Sequence, residues 1–339
     1  MNIFPKLFSI LKIKTNTKGM YSMKNGLYLA YVCAIVNATI VGLSFLFTKT
    51  AINESNPLDT LAFRFTVAFL TVSLLILFKI VKVEIRLKSY TKLLPLTILY
   101  PTLFFSFQAF GLQSVPSSEA GILFATIPIL TTIMASIFLK EQTTSIQKVS
   151  IILSVIGVIY IFLMKGSSLS FTSWSGNLLL LISCLSSAGY AVLTRSLVRT
   201  FKPLEITFFM LAIGFIFFNV ASFVTHISNG SLQTMFTPWT DTNFIVSILF
   251  LGVLASFVTS LLSNYILSKI SATQMSVFSN MSTIISIAAG AILLAEEIFL
   301  YHIVGSALII LGVIGTNVFK DTSIFKRRVT IEKKMKDSK

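Results

Sequence analysis

The feature that most constrains this chain is a long apolar pattern that occurs twice. Moved forward by 155 positions, Leu112–Phe162 lies on Leu267–Asn317 without a gap. Leu112 then meets Leu267, Leu139 meets Leu294, Glu141 meets Glu296 and Val149 meets Val304, and Gly157-Val158-Ile159 falls on Gly312-Val313-Ile314. Upstream the shift is 146, placing Pro57-Leu58 on Pro203-Leu204, Thr48 on Thr194 and Lys49 on Arg195. Duplication of apolar segments is the sequence mark of a membrane carrier with its site between the repeats.

Composition decides the environment. Of 339 residues 55% are hydrophobic and 12% charged, and the charges sit in short gaps. The stretches between them approach the ~20 residues that cross a hydrocarbon core as a helix. Ten are expected, roughly 28–50, 58–79, 93–113, 117–139, 148–164, 175–195, 204–226, 243–268, 272–295 and 299–319. Their length and lack of period-2 alternation favour helices over strands. The expected fold is an all-α integral membrane protein.

A net charge of +15 would suggest nucleic acid in a soluble chain, but its distribution points elsewhere. With ten spans, 24 Lys and Arg residues fall on the side of the termini and two, Lys49 and Lys165, on the other; Arg64 lies inside a span. That imbalance places both termini in the cytoplasm of a plasma-membrane protein. The basic tails then read as topology signals that touch anionic lipid, with no nucleic-acid partner. Cys33 and Cys184 fall inside spans, so no disulfide framework is expected. Residues 1–22 lack the apolar core and cleavage site of a signal peptide, and read as an interfacial helix or an over-extended start ahead of Met23.

Each copy holds five spans, an odd number, so the second copy enters the membrane from the opposite face. The expected organisation is a basic tail (1–27), a first repeat (28–164), a second, inverted repeat (175–319) and a basic tail (320–339). The ordered set Pro128, Leu139-Lys140-Glu141 and Gly157-Val158, echoed by Glu296, Gly305 and Leu308–Gly312, resembles the paired EamA repeats of the drug/metabolite transporter superfamily. Gly42, Lys49, Arg64-Phe65 and Gly176-Asn177 through Arg195 agree with it, over about Asn25 to Lys320. Two positions depart from the family pattern: Thr283 replaces a proline and Val41 a tryptophan. The resemblance implies a ten-helix carrier of small organic metabolites, often an exporter.

Polar side chains inside spans are costly unless they face the interior, so they mark candidate sites. In span six Ser183, Ser187, Tyr190 and Thr194 share a helical face; the matching face of span one carries Asn37, Val41, Ser44 and Thr48. Span eight offers Ser256, Thr259, Ser260 and Ser263; span three offers Pro101, Phe104, Phe105 and Gln108 beside Tyr100. Span nine gives Ser276, Asn280 and Thr283, and span four Gly121, Ala125 and Pro128. The substrate cavity is therefore expected from Asn37, Ser44, Tyr100, Phe104, Gln108, Ser187, Tyr190, Thr259, Ser263 and Asn280. The plainer alternative is that these groups only pack helices together. Spans five and ten, poor in polar groups, read as scaffold, and most of the 31 Phe residues are expected to face lipid.

Arg64 stands about 10 Å below the outer end at ~1.5 Å per residue. It is expected to anchor on Asp59, Glu54 or Glu119, with Glu119 favoured; the alternative is a gate or a counter-charge for a substrate carboxylate. Glu141 and Glu296, at span ends, suggest capping or hinge roles. His226 and His302 read as isolated surface residues, so no metal is expected. No phosphate-binding Gly-rich loop, nucleophile–base set or cofactor motif is found, so no cofactor or enzymatic activity is expected. The expected function is secondary transport, as an exporter, of small neutral or zwitterionic metabolites such as amino acids by alternating access. A nucleoside, sugar or drug carrier remains open, as does a lipid-modifying enzyme or a non-transporting membrane assembly protein.

Overall fold

The computed structural model describes residues 21–83, 91–114, 123–164, 174–294 and 298–318. The terminal tails, Glu119, Gly121, Lys165 and Glu296 lie outside them. Helices account for the apolar runs, and no strand occurs among the described residues. In the first repeat these are α1 (Tyr21–Glu54), α2 (Pro57–Leu77), α3 (Thr91–Gly111, continuing to Ser114), α4 (Ile127–Phe138) and α5 (Ser145–Met164). In the second they are α6 (Trp174–Leu197), α7 (Pro203–Ser228), α8 (Thr242–Lys269), α9 (Ala272–Phe278), α10 (Met281–Leu294) and α11 (Leu300–Val318).

Eight of these are long and apolar enough to cross a membrane; α4 is shorter, with 12 residues. The expected ninth span is two helices, α9 and α10, which meet at Ser279–Asn280. The break has a local cause. The Ser279 hydroxyl donates back to the Ser276 carbonyl and the Ser282 hydroxyl to the Ser279 carbonyl, competing with the helical ladder. Helix starts follow ordinary chemistry: Asn56 accepts from Asp59 N at 2.8 Å ahead of Pro57, and Ser271 with Gln274 forms a capping box before α9.

Packing repeats with the sequence. α2 lies along α7 and α5 along α11; α6 contacts α3 and α4, as α1 contacts α8 and α10; α8 contacts α2, as α3 contacts α7. Exchanging the two repeats therefore returns the same set of neighbours. The self-paired helices also run antiparallel. A Cβ on Gly157 would stand 2.7 Å from the Gly305 carbonyl, and one on Gly312 would stand 2.5 Å from the Ser150 carbonyl, so α11 descends as α5 rises. Thr66 bonds Asn219 and Phe69 stacks on Phe215, giving α2 and α7 the same opposed sense. Equivalent helices pointing in opposite directions are what an inverted duplication produces.

The aromatic inventory departs from the expectation of lipid-facing phenylalanines. Phe65, Phe105, Phe218 and Phe257 are buried in one core between α2, α3, α7 and α8, with Phe65 stacked on Phe218 at 5.1 Å. The lipid-facing surface instead carries many aliphatic side chains, among them Ile152, Ile156, Ile303 and Leu311. Phe rings fill space between helices whose backbones do not touch, which small residues cannot do.

Candidate functional site

The interior polar groups gather on α8 and the helices around it. Gly252 lets α2 come close, since a Cβ there would meet Val67 and stand 3.0 Å from the Arg64 carbonyl. That approach delivers the Arg64 side chain onto α8. Its Nε donates to Ser256 Oγ at 2.6 Å and its Nη2 to the Ala255 carbonyl at 2.8 Å. The guanidinium also lies 4.6 Å from the centre of the Phe105 ring, a cation–π contact in a water-poor place. Ala255 belongs to a π-helical stretch, Phe250–Val258, and Thr259 Oγ1 donates to the same carbonyl at 2.8 Å. The corresponding helix, α3, carries a π-helical stretch of its own at Ile98–Leu103. Such stretches leave carbonyls outside the regular ladder and recur at functional sites.

From Phe105 the contacts run inward through rings. Tyr100 lies 5.2 Å from Phe105, stacks on Phe104 at 5.1 Å and stacks on Tyr190 at 4.6 Å. The Tyr190 hydroxyl donates to Asn264 Oδ1 at 2.9 Å, and Asn264 Nδ2 donates to Thr207 Oγ1 at 2.8 Å. Ser263 approaches the same Tyr190 hydroxyl. Ser183 donates to the Phe104 carbonyl at 2.9 Å and holds α6 against α3. Arg64, Tyr100, Phe104, Tyr190, Thr259 and Ser263 are thus brought into one connected cluster.

Other expected site residues stand apart from it. Asn280 Nδ2 donates to Ser154 Oγ at 3.0 Å, so it ties α9 and α10 to the α5 scaffold. Ser44 bonds its own helix at the Val41 carbonyl, 2.7 Å away. Ser187 and Gln108 are half-buried and make no side-chain hydrogen bond among the described residues. Asn37 Oδ1 is buried without a hydrogen-bond partner among the described residues. A groove of about 760 Å3 between α4 and α5, beside Lys140, Glu141 and Lys148, shares no lining residue with the cluster.

Of the three expected anchors of Arg64, Glu119 lies outside the described residues and the other two are engaged elsewhere or exposed. Asp59 is taken by His226, Ser222 and Asn56, and Glu54 is exposed at the end of α1. Among the described residues no carboxylate pairs with Arg64. His226 is accordingly neither isolated nor on the surface; it is 8% exposed, with Nε2 2.8 Å from Asp59 Oδ2. His302 is also buried, and its Nδ1 accepts from Phe299 N at 3.1 Å. Glu141 lies 3.8 Å from Arg195 and accepts from Ala272 N at 3.4 Å, so it steadies the start of α9. No group of three His, Cys, Asp or Glu that could hold a metal occurs among the described residues.

The repeat, the inverted helix pairs and the interior cluster agree with a sequence match to the EamA-like transporter family over residues 28–163 and 174–318. The chain belongs to the EamA-like transporter family. This EamA-like protein is 48% identical over 289 residues to "Uncharacterized transporter YcxC" of Bacillus subtilis (strain 168), covering 85% of this chain and 93% of the relative. It is 28% identical over 283 residues to an "Uncharacterized transporter" of Archaeoglobus fulgidus, covering 84% and 96%. A solved crystal structure at 15% identity has a TM-score of 0.68 and covers 85% of this chain and 97% of its own; that likeness concerns the fold alone. The EamA-like chain is a multi-pass membrane transporter.

Proposed function

We propose that this transporter exports small zwitterionic metabolites of the amino-acid class across the plasma membrane, by alternating access between its two inverted repeats. Both termini lie in the cytoplasm by the charge distribution, and the chain works as a carrier and not as an enzyme. The observation that carries the substrate class is Arg64. A guanidinium inside a membrane bundle is costly, and here it is held by a hydroxyl, a carbonyl and a ring without a carboxylate among the described residues. A substrate carboxylate supplies the missing charge and matches the guanidinium fork.

The unpartnered Asn37 Oδ1 supports the other half of the zwitterion. The shift of 146 matches Asn37 with Ser183, and the shift of 155, carried back through span three, matches Phe104 with Thr259. α1 packs on α8 as α6 packs on α3, so Asn37 takes the place on α1 that Ser183 holds on α6. An acceptor there suits an ammonium group, which donates only.

The test is counterflow in liposomes containing purified protein. Labelled amino acids should exchange, and the matching amines and amides, which lack the carboxylate, should exchange at least tenfold more slowly. Exchange of nucleosides or sugars in place of amino acids would overturn the substrate class.

A further inference from the structure

One buried ionisable cluster is not used by the substrate reading. Asp59 lies in the first turn of α2, and Ser222 and His226 lie in the last two turns of α7, all within the bundle. They occupy the end of the α2–α7 pair away from Lys79 and Lys82, which follow α2, and from Lys202, which precedes α7. His226 Nε2–H donates to Asp59 Oδ2 at 2.8 Å, Asn56 Nδ2 donates to the same oxygen at 2.6 Å, and the Ser222 hydroxyl donates to Oδ1. On the other side of the ring, His226 Nδ1 faces the Ser231 carbonyl at 3.0 Å and the Ser231 hydroxyl at 2.8 Å.

This geometry serves two protonation states. A carboxylate only accepts, so Nε2 keeps its hydrogen in both. In the neutral ring the Nδ1 lone pair accepts from the Ser231 hydroxyl. When that lone pair takes a proton, Nδ1–H donates to the Ser231 carbonyl and the hydroxyl turns away. Both ring nitrogens have a partner in either state, but only the charged ring makes an ion pair with Asp59 between the two repeats. Among the described side chains few other charges compete at this end. On α1 Glu54 is exposed, at the start of α8 Asp241 accepts from Phe244 N, and on α2 Arg64 is turned onto α8.

The two repeats differ at this point. The shift of 146 lays Asp59 on Glu205 but lays Ser222 and His226 on Ile76 and Ile80. Glu205 is spent on its own helix start, accepting from Lys202 N at 2.8 Å. The opposite end of the α2–α7 pair thus has an acid and no histidine.

We propose that Asp59 and His226 form the proton-binding site of this carrier, and that the proton is its coupling ion. A proton on His226 draws the ends of α2 and α7 together and closes this side; its loss weakens the contact and lets this side open. The closing attraction is present while the ring carries its proton, at low pH, and is lost when the proton leaves as pH rises. This deepens the alternating-access reading and rests on it.

The test needs no substrate. Full-length protein with Cys33 and Cys184 replaced by alanine carries spin labels at the exposed Asn53 and Asn229, in lipid nanodiscs, and the label distance is measured at pH 5 and pH 8. The parent should show a longer, broader distribution at pH 8. His226→Gln keeps a donor without the charge and should give the pH 8 distribution at both values, as should Asp59→Asn. His302→Gln, which changes the other histidine, should respond like the parent. A parent distribution that is the same at both pH values, or a His226→Gln protein that still responds, overturns the proposal. Failed counterflow with an intact pH response would instead count against the choice of substrate.

Discussion

A single guanidinium among hydrocarbon side chains sets the most specific expectations at the scale of residues. Arg64→Met removes a charge without stranding a buried carboxylate among the described residues. The variant should therefore fold, with a thermal midpoint close to the parent, while amino-acid counterflow falls at least tenfold. Arg64→Lys keeps the charge but loses the fork that reaches Ser256 and Ala255 together, and should recover only part of the rate. Tyr190→Phe leaves Asn264 Oδ1 without its donor and should cost about 1–2 kcal/mol in a denaturation series. Much of this neighbourhood was legible beforehand: a buried Arg, a serine stripe on span eight and Tyr190 on span six are read from spacing alone. Asn264 follows Ser260 by four positions, but spacing alone does not separate it from its neighbour Ser263 as the end of the stripe. A histidine near a span end looks exposed in sequence; in the fold the antiparallel partner helix supplies Asp59 and buries His226.

At the scale of elements, α5 and α11 meet through glycine. A methyl group on Gly157 meets the Gly305 carbonyl at 2.7 Å, and one on Gly305 meets the Gly157 carbonyl at 2.8 Å. Neither backbone can yield without parting the helices, so Gly157→Ala and Gly305→Ala should each cost about 1–3 kcal/mol, read as a lower melting temperature in detergent. Leu311→Ala on the lipid-facing side of the same helix serves as the neutral comparison. Asn280→Leu belongs with these changes: it breaks the bond to Ser154 and should lower stability more than counterflow. The close packing of these two spans is legible in Gly157, Gly305 and Gly312, which let the backbones touch. The division of the ninth span is not, because hydropathy integrates over residues and is blind to serine hydroxyls that turn back on the backbone.

For the whole molecule, the duplication determines orientation as well as shape. Cysteines introduced within 165–173 and 228–241 should react with a membrane-impermeant reagent on intact cells, and cysteines within 82–90 should not. Labelling of 82–90 from outside would reverse the charge-based orientation. The inverted arrangement follows from counting spans, and the antiparallel α5–α11 and α2–α7 pairs carry it into contacts that no count can show. Which polar residues converge depends on how far each helix is rotated, a quantity set by close approaches such as Gly252 on α2.

The glycine seam between α5 and α11 also bears on how the chain is made. Gly305 leaves the ribosome about 150 residues after Gly157, roughly 8 to 30 s later at ~5–20 residues per second. Throughout that interval α5 is already in the bilayer with its small-residue face against lipid. The first half of the chain therefore waits for the last helix before its backbone contacts can form, and a nascent chain halted before α11 is a ready substrate for membrane quality control.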